Sequence, residues 1–140
     1  MTLFALATLS LLAACTLETS DNGKLDGFWH LCTVDTLSTQ GTQLLQNQHY
    51  YWAFQGKLLS VRDTDSPFSY NMRFAHQGDS LRVYDIYRNE SQYTDSLLTS
   101  PDSLRPFGIN QLQESFLILQ LNSSHMTLQN KALRLKFRKM

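Results

Sequence analysis

Apolar and polar residues alternate along much of this chain, with the period of two that is typical of half-buried β-strands. The clearest case is the segment 68–76, where the residues between the apolar positions are mostly polar. Its apolar face is made of Phe68, Tyr70, Met72 and Phe74. This pattern predicts a strand with one face turned toward a core.

The last segment, 132–139, alternates in the same way, with Leu133, Leu135 and Phe137 set between basic residues. Eight segments alternate like this or are rich in β-branched and aromatic residues, a composition that favours strands. The predicted strands are 27–34, 49–54, 58–62, 68–76, 80–87, 114–121, 125–129 and 132–139.

Short turn-forming stretches separate most of these strands. Residues 55–57 and 77–79 each contain a glycine, and 63–67 combines a proline with Asp and Ser. The polar stretch 42–48 is predicted to be a connection. Tight connections join antiparallel neighbours, so sequential antiparallel pairing is expected.

One long excursion, 89–110, interrupts the β pattern between the fifth and sixth strands. Two short helices are predicted within it, one starting at Asp95 and one at Pro101, because proline is favoured at the first turn of a helix. Pro106 and Gly108 then end the helical region.

The predicted fold class is all-β, an eight-stranded antiparallel up-and-down barrel with one short helical or irregular excursion. Closing the sheet removes the exposed edges that an open sheet must protect. A barrel of eight strands is wide enough to be packed solid or to hold one small ligand. A two-sheet sandwich is the alternative, because period-two patterning alone does not exclude it.

The chain begins with an apolar run, 3–12, of about ten residues, against the roughly 20 that a membrane-spanning helix needs. The following Leu12-Ala13-Ala14-Cys15 resembles the cleavage site of bacterial lipoprotein signal peptides. The resemblance implies that 1–14 is removed and that the sulfur of Cys15 is acylated. A buried N-terminal strand or helix is the alternative reading of the run.

The polar residues after Cys15 are typical of a solvated tether. The expected organisation is therefore a signal peptide at 1–14, a flexible tether at 15–24 and a barrel domain at 25–140. The lipoprotein resemblance further implies a membrane partner through the lipid anchor. It places the protein in the cell envelope, at the outer membrane, facing either the periplasm or the cell surface.

Charge balance and cysteine content limit the partners and the covalent cross-links that this protein can have. Twelve acidic residues balance twelve basic ones, so the basic footprint of nucleic-acid-binding proteins is missing and no nucleic-acid partner is expected. If Cys15 carries lipid, Cys32 is the only remaining thiol and no internal disulfide forms. The domain must then depend on a well-filled core or a closed sheet.

The first predicted strand contains Gly27-Phe28-Trp29, which resembles the Gly-x-Trp signature of lipocalins, and the last ends near Arg138. The chain looks like the short lipocalin-like lipoproteins of Bacteroidetes-type bacteria over 25–140. The resemblance implies that Arg138 lies over Trp29 at one end of the barrel, as a cation–π contact worth about 0.5–2 kcal/mol.

Motifs for catalysis are missing from the chain. It has no glycine-rich phosphate loop, nucleophile elbow or Cys-x-x-Cys pair. His30 and Cys32 share one strand face, but a zinc site needs three or four ligands and the other histidines lie on separate strands. We therefore expect no metal, no cofactor and no enzymatic activity.

Aromatic residues are more numerous than strand pairing alone requires. They either form a packed core or line a cavity for a small apolar or amphipathic ligand. The cavity candidates are Trp52, Phe68, Tyr70, Met72, Phe74, Phe116 and Phe137. The leading hypothesis is non-catalytic binding of such a ligand, with 89–110 folding over one mouth of the barrel as a lid or plug. The alternative is a surface- or loop-mediated protein-interaction module, such as a tethered inhibitor or an accessory subunit of an envelope complex.

Overall fold

The computed structural model describes residues 22–89 and 96–140. The signal peptide predicted at 1–14, Cys15 and most of the predicted tether lie outside these residues. The two described helices are the short 3-10 segments Gly23–Leu25 and Asp102–Phe107. Neither has the length and apolar character needed to cross a membrane.

The described part of the chain contains ten strands. All pair antiparallel in a single sheet. In chain order they are β1 (Gly27–Thr36), β2 (Gly41–Leu44), β3 (Tyr50–Gln55), β4 (Leu58–Asp63), β5 (Ser69–Gln77), β6 (Ser80–Asn89), β7 (Ser96–Leu97), β8 (Glu114–Leu121), β9 (His125–Gln129) and β10 (Leu133–Lys139).

The sheet closes on itself because β1 pairs with β10, from Trp29 opposite Lys139 to Thr36 opposite Leu133. Most other neighbouring strands are joined as hairpins. The exceptions are β1 and β3, which are connected through β2, and β6 and β8, which are connected through the excursion. This closure confirms the predicted barrel and rules out the two-sheet sandwich.

The ten strands occupy eight positions around the ring. β3 pairs with the first half of β1 and β2 with its second half, so both lie along one edge of β1. β8 and β7 share one edge of β6 in the same way. The eight predicted strands correspond to the eight main ones, and β2 and β7 are short additions.

These two additions correct the sequence-based prediction. β2 falls within a stretch predicted to be a connection, and β7 lies where a helix was expected to start at Asp95. All residues of both strands are exposed, so neither shows the alternation that marks a half-buried strand. Each is extended because it pairs with a length of β1 or β6 that the main neighbour leaves uncovered.

A bulge in β6 adjusts the direction of its side chains. Asp85 and Ile86 together lie opposite Met72 of β5, and Asp85 has a positive φ of 50°. The extra residue allows Val83 and Ile86 both to be buried although they are three positions apart.

Aromatic side chains fill the centre of the barrel. The ring of Trp52 makes edge contacts with Phe116 and Phe137, with centroids 5.7 and 5.0 Å apart. Trp52 is fully buried, and the other two rings are each 2% exposed. A void wide enough to admit water would leave accessible surface on its walls. The interior around these rings is therefore packed rather than hollow.

Short helical segments cover both ends of the barrel. At the end where β1 begins and β10 ends, here called the base, buried Leu25 accepts a 2.9 Å hydrogen bond from Trp29 Nε1 through its carbonyl. At the opposite end, here called the mouth, the mouth helix Asp102–Phe107 buries Leu104 and Phe107.

Gly108 provides a test of how tightly the mouth helix fits. Gly108→Ala should lower the free energy of unfolding by about 3 kcal/mol. The new Cβ would lie 2.5 Å from Leu135 Cδ2, and the backbone φ is +84°. Urea denaturation followed by tryptophan fluorescence measures the loss.

The matched control is Gly56→Ala, which also has a positive φ, +59°, but meets no heavy atom within 4 Å. It should lose only the backbone cost, about 1 kcal/mol. Equal losses in the two variants would contradict a tight fit between the mouth helix and Leu135.

Candidate functional site

The mouth is where the chain departs most from a simple barrel. After β7, the backbone N–H of Leu98 donates to the carbonyl of Ile86 at 2.9 Å, which holds the returning chain against β6. The mouth helix then starts after Pro101 and ends at Gly108, whose left-handed conformation caps it. These local features place the helix across the opening.

Phe107 fixes the mouth helix in the opening of the barrel. Its ring makes edge contacts with Tyr50 and Tyr70, with centroids 5.5 and 6.1 Å apart. Its carbonyl accepts a 3.1 Å hydrogen bond from Trp52 Nε1. The helix therefore acts as a plug whose aromatic side chain occupies the space that a ligand would enter.

The structure gathers most of the cavity candidates into this packed core. Phe74 is partly buried and contacts Phe54 edge-on at 5.1 Å. The buried candidates are Trp52, Tyr70, Met72, Phe116 and Phe137. These side chains contact other side chains, so they line no open space in this conformation.

Phe68 differs from the wall position expected for it. It precedes β5 and is 45% exposed, with the Arg88 guanidinium 5.1 Å above its ring. Because Phe68 lies beyond the paired part of β5, no neighbouring strand covers it. It belongs to the rim of the mouth.

The cation at the base is Lys139, not Arg138 as expected. Lys139 Nζ lies 5.0 Å from the centroid of the Trp29 ring, whereas Arg138 is exposed opposite His30. Strand alternation explains the correction, because Lys139 shares its side of β10 with buried Phe137. The missing side chain of Gly27 leaves room for this lysine, since an added Cβ would lie 2.6 Å from its Cε.

An open groove of about 480 Å³ runs along the outside of the mouth helix. Leu97 on its wall is 59% exposed, and its strand partner Tyr87 is 38% exposed. The groove, here called the mouth groove, is lined by Arg88, Ser96, Leu97, Leu98, Thr99, Ser100, Asp102 and Ser103. It offers apolar area beside polar and charged groups.

Glu114 is a buried carboxyl group where the excursion returns to the sheet, and it is 6% exposed. Its Oε2 accepts a 3.2 Å hydrogen bond from the backbone N–H of Asn110. Burial raises the pKa of Glu114, against the opposing effect of hydrogen bonds from Asn110, Gln111 and the Asn130 side chain. The carboxyl group thus connects the end of the excursion to the β9–β10 turn.

His30 and Cys32 are close together on β1, as their spacing suggests. Cys32 Sγ lies 3.8 Å from His30 Nδ1, and His30 Nε2 lies 2.7 Å from the carbonyl oxygen of Gln48. Burial raises the pKa of the Cys32 thiol, with Arg138 acting in the opposite direction. Within 22–89 and 96–140, no three His, Cys, Asp or Glu residues are grouped to hold a metal ion.

Sequence reasoning missed the residues that close the mouth. Leu104, Phe107 and Ile109 are apolar positions inside a polar excursion, and all three are buried. These closely spaced apolar residues were the available signal that part of the excursion is buried, because exposed loops rarely contain so many of them. Lys139 was also identifiable, since it continues the alternation of Leu135 and Phe137.

Replacing Glu114 with glutamine should make the stability of the protein less dependent on pH. A raised pKa means that ionising the carboxyl group is harder in the folded state than in the unfolded state. The free energy of unfolding of the wild type therefore falls as the pH rises from 4.5, the ordinary pKa of the group, through its raised folded-state pKa. The melting temperature of Glu114→Gln, relative to wild type, should therefore increase with pH above 4.5. A difference that stays constant across this range in thermal melts would contradict the assignment.

Comparison with known proteins agrees with this geometry. A family model described as a lipocalin-like domain matches residues 10–140. The structure is similar to a lipocalin-like protein from Bacteroides uniformis, at 17% identity and a TM-score of 0.63, covering 84% of this chain and 100% of that one.

It is also similar to an uncharacterized protein from Bacteroides eggerthii, at 13% identity and a TM-score of 0.58, covering 82% of this chain and 98% of that one. No curated protein matches the chain. At these identities the structural neighbours support the fold, and the family match covers nearly the whole sequence. This chain belongs to the lipocalin-like domain family.

Proposed function

We propose that this protein is a cell-envelope lipoprotein, attached through Cys15 to the outer membrane, whose barrel is a non-catalytic binding module. The lipocalin-like fold supports a function of the binding type. The family match includes Cys15, because it begins at residue 10 within the apolar run. The proposed binding surface is the mouth groove rather than the barrel interior.

We propose the mouth groove rather than the barrel interior because the interior is packed with side chains. Trp29, Trp52 and Leu31 have no accessible surface, and Phe137 has 2%. A drug-sized ligand needs a pocket of about 300–1,000 Å³. An interior ligand would have to displace side chains that already fill this space, so the outer surface is the simpler place to bind.

The mouth groove suits a segment of another envelope protein. It is open along its length, and Leu97 and Leu98 supply apolar contact beside Asp102 and several hydroxyl groups. Loops held by a rigid scaffold frequently carry binding sites. The barrel would provide this scaffold, and the excursion would provide the contacts.

A small apolar ligand inside the barrel is the second candidate. It is favoured by the mouth plug, in which a single ring, Phe107, occupies the opening between Tyr50 and Tyr70. The mouth helix has only six residues, and its displacement would open a route to Trp52. Binding by this route would require the plug to move outward.

Cys15→Ser tests the proposed anchoring. The acyl chains of a lipoprotein are carried by the cysteine sulfur and the new N-terminus, so the variant should lose processing and lipid attachment. We expect the wild type to fractionate with outer membranes and to incorporate radiolabelled palmitate in its own host. The variant should incorporate none, and equal labelling of both proteins would contradict lipid attachment at this residue.

Leu97→Ser tests the mouth groove as the binding surface. Native mass spectrometry of protein extracted from host membranes should show a bound protein subunit, and the variant should lose about ten-fold in affinity for that subunit. Leu44→Ser is the matched control, because Leu44 is 69% exposed on β2, away from the groove.

Fatty acids separate the two candidates. Under the groove proposal, long-chain fatty acids leave the melting temperature of the wild type unchanged. A clear increase, together with a larger increase for Phe107→Ala, would overturn the groove proposal in favour of interior binding. Phe107→Ala itself should cost about 3–5 kcal/mol of stability.

A further inference from the structure

We infer that the base of the barrel is a membrane-contact surface that binds anionic lipid headgroups. This inference rests on the proposed lipid attachment at Cys15, and it adds a second contact between the folded domain and the bilayer. Basic and apolar groups on the surface of a folded domain bind anionic membranes in addition to a lipid anchor.

The tether places the base nearest the lipid. Six residues lie between Cys15 and Asn22, so the two Cα atoms are seven steps apart and reach roughly 25 Å at most when the chain is fully extended. Asn22 lies at the base, where its side-chain amide donates a 2.7 Å hydrogen bond to the carbonyl of Gly56 in the β3–β4 turn. An acylated Cys15 therefore holds this end of the barrel close to the headgroups.

Among the residues that the structure describes, positive charge is in excess at the base. Lys24, Lys57 and Arg138 are exposed there, and among the described residues none of these three forms an ion pair with a carboxylate. Of the described acidic residues at this end, Asp26 already accepts hydrogen bonds from Asn22, at 2.7 and 3.1 Å. The other is Asp79, in the β5–β6 turn.

The mouth has a different charge arrangement. Two of its basic residues have acidic partners, since Arg105 lies 3.2 Å from Asp102 and Lys136 lies 3.7 Å from Asp35. These two ion pairs offset part of the positive charge at this end. The base is therefore the end of the barrel whose charge better complements an anionic bilayer.

Exposed apolar side chains accompany these cations. Phe28 is 37% exposed and stacks on Tyr51, with centroids 4.6 Å apart. Met140 follows β10 beside it, is 68% exposed, and donates its backbone N–H to the carbonyl of Phe28 at 2.9 Å. Leu58, next to the β3–β4 turn, is 46% exposed. Aromatic and apolar groups beside cations are the combination that inserts at a membrane interface.

Vesicle binding without the lipid anchor tests this surface. The protein to use is the chain from position 15 onward carrying Cys15→Ser, which keeps every strand of the barrel. It should co-sediment with vesicles of phosphatidylethanolamine and phosphatidylglycerol, and much less with vesicles of phosphatidylcholine. Adding Lys57→Gln should lower the partition coefficient about five-fold, and adding Phe28→Ser should lower it about five-fold.

Matched controls lie away from the base. Leu44→Ser removes an exposed apolar group at the end of β2, and Lys131→Gln removes an exposed cation in the β9–β10 turn at the mouth. Each should leave vesicle binding unchanged. Circular dichroism confirms that every variant is folded. Failure to bind anionic vesicles, or equal losses from the base and mouth variants, would overturn the proposal.

A dimer that dissociates in Phe28→Ser, with vesicle binding unchanged, would assign the surface to a second copy of the chain and would also overturn it. These outcomes are separate from the anchoring test. The vesicle assay uses unlipidated protein, whereas palmitate labelling reports only on Cys15.

Discussion

The pairing of β1 with β10 is the constraint on which the rest of the structure depends. It joins the first and last strands of the domain through an antiparallel ladder from Trp29 to Thr36. Without it, the sheet would have two exposed edges and its apolar face would be open to water. With it, the ring has a defined circumference, and the interior has a volume that must be filled by side chains, a ligand or water.

This protein fills that volume with its own side chains. Trp52 sits among Phe116 and Phe137 at the centre, Leu25 covers the base, and Phe107 enters from the mouth. A domain without an internal disulfide gains much of its stability from such burial. In a lipocalin-like barrel, however, the same packing competes with ligand uptake, which is why we place binding on the outer surface.

The two ends of the barrel differ in a way that suits the proposed attachment. Among the described residues, Lys24, Lys57 and Arg138 at the base form no ion pair with a carboxylate, and Phe28 is exposed at the same end. The predicted tether leads into this end, where Asn22 lies. The mouth carries the excursion, the mouth groove and the ion pairs of Arg105 with Asp102 and of Lys136 with Asp35. A barrel anchored by its base would present the mouth groove away from the bilayer, where partners have access.

The sequence by itself determined the main strands and the all-β class, whereas the pairing of β1 with β10 decided between a closed barrel and a sandwich. Alternation such as that of 68–76 follows from the period of two in a strand, and glycine-containing turns such as 77–79 follow from local backbone preferences. The Gly27-Phe28-Trp29 segment indicated the family because it is a short motif that can be identified without knowing any long-range contact. The glycine leaves space for a cation over the tryptophan, which the structure identifies as Lys139.

The tertiary structure alone decided how the interior is used. β2 and β7 have no buried face, so only the edge of a neighbouring strand makes them extended. Whether aromatic residues form a core or line a cavity depends on contacts between residues far apart in the chain, such as Trp52 with Phe107. Local pattern carries no information on such contacts, because the same alternation is produced by a strand facing a side chain and by one facing a ligand.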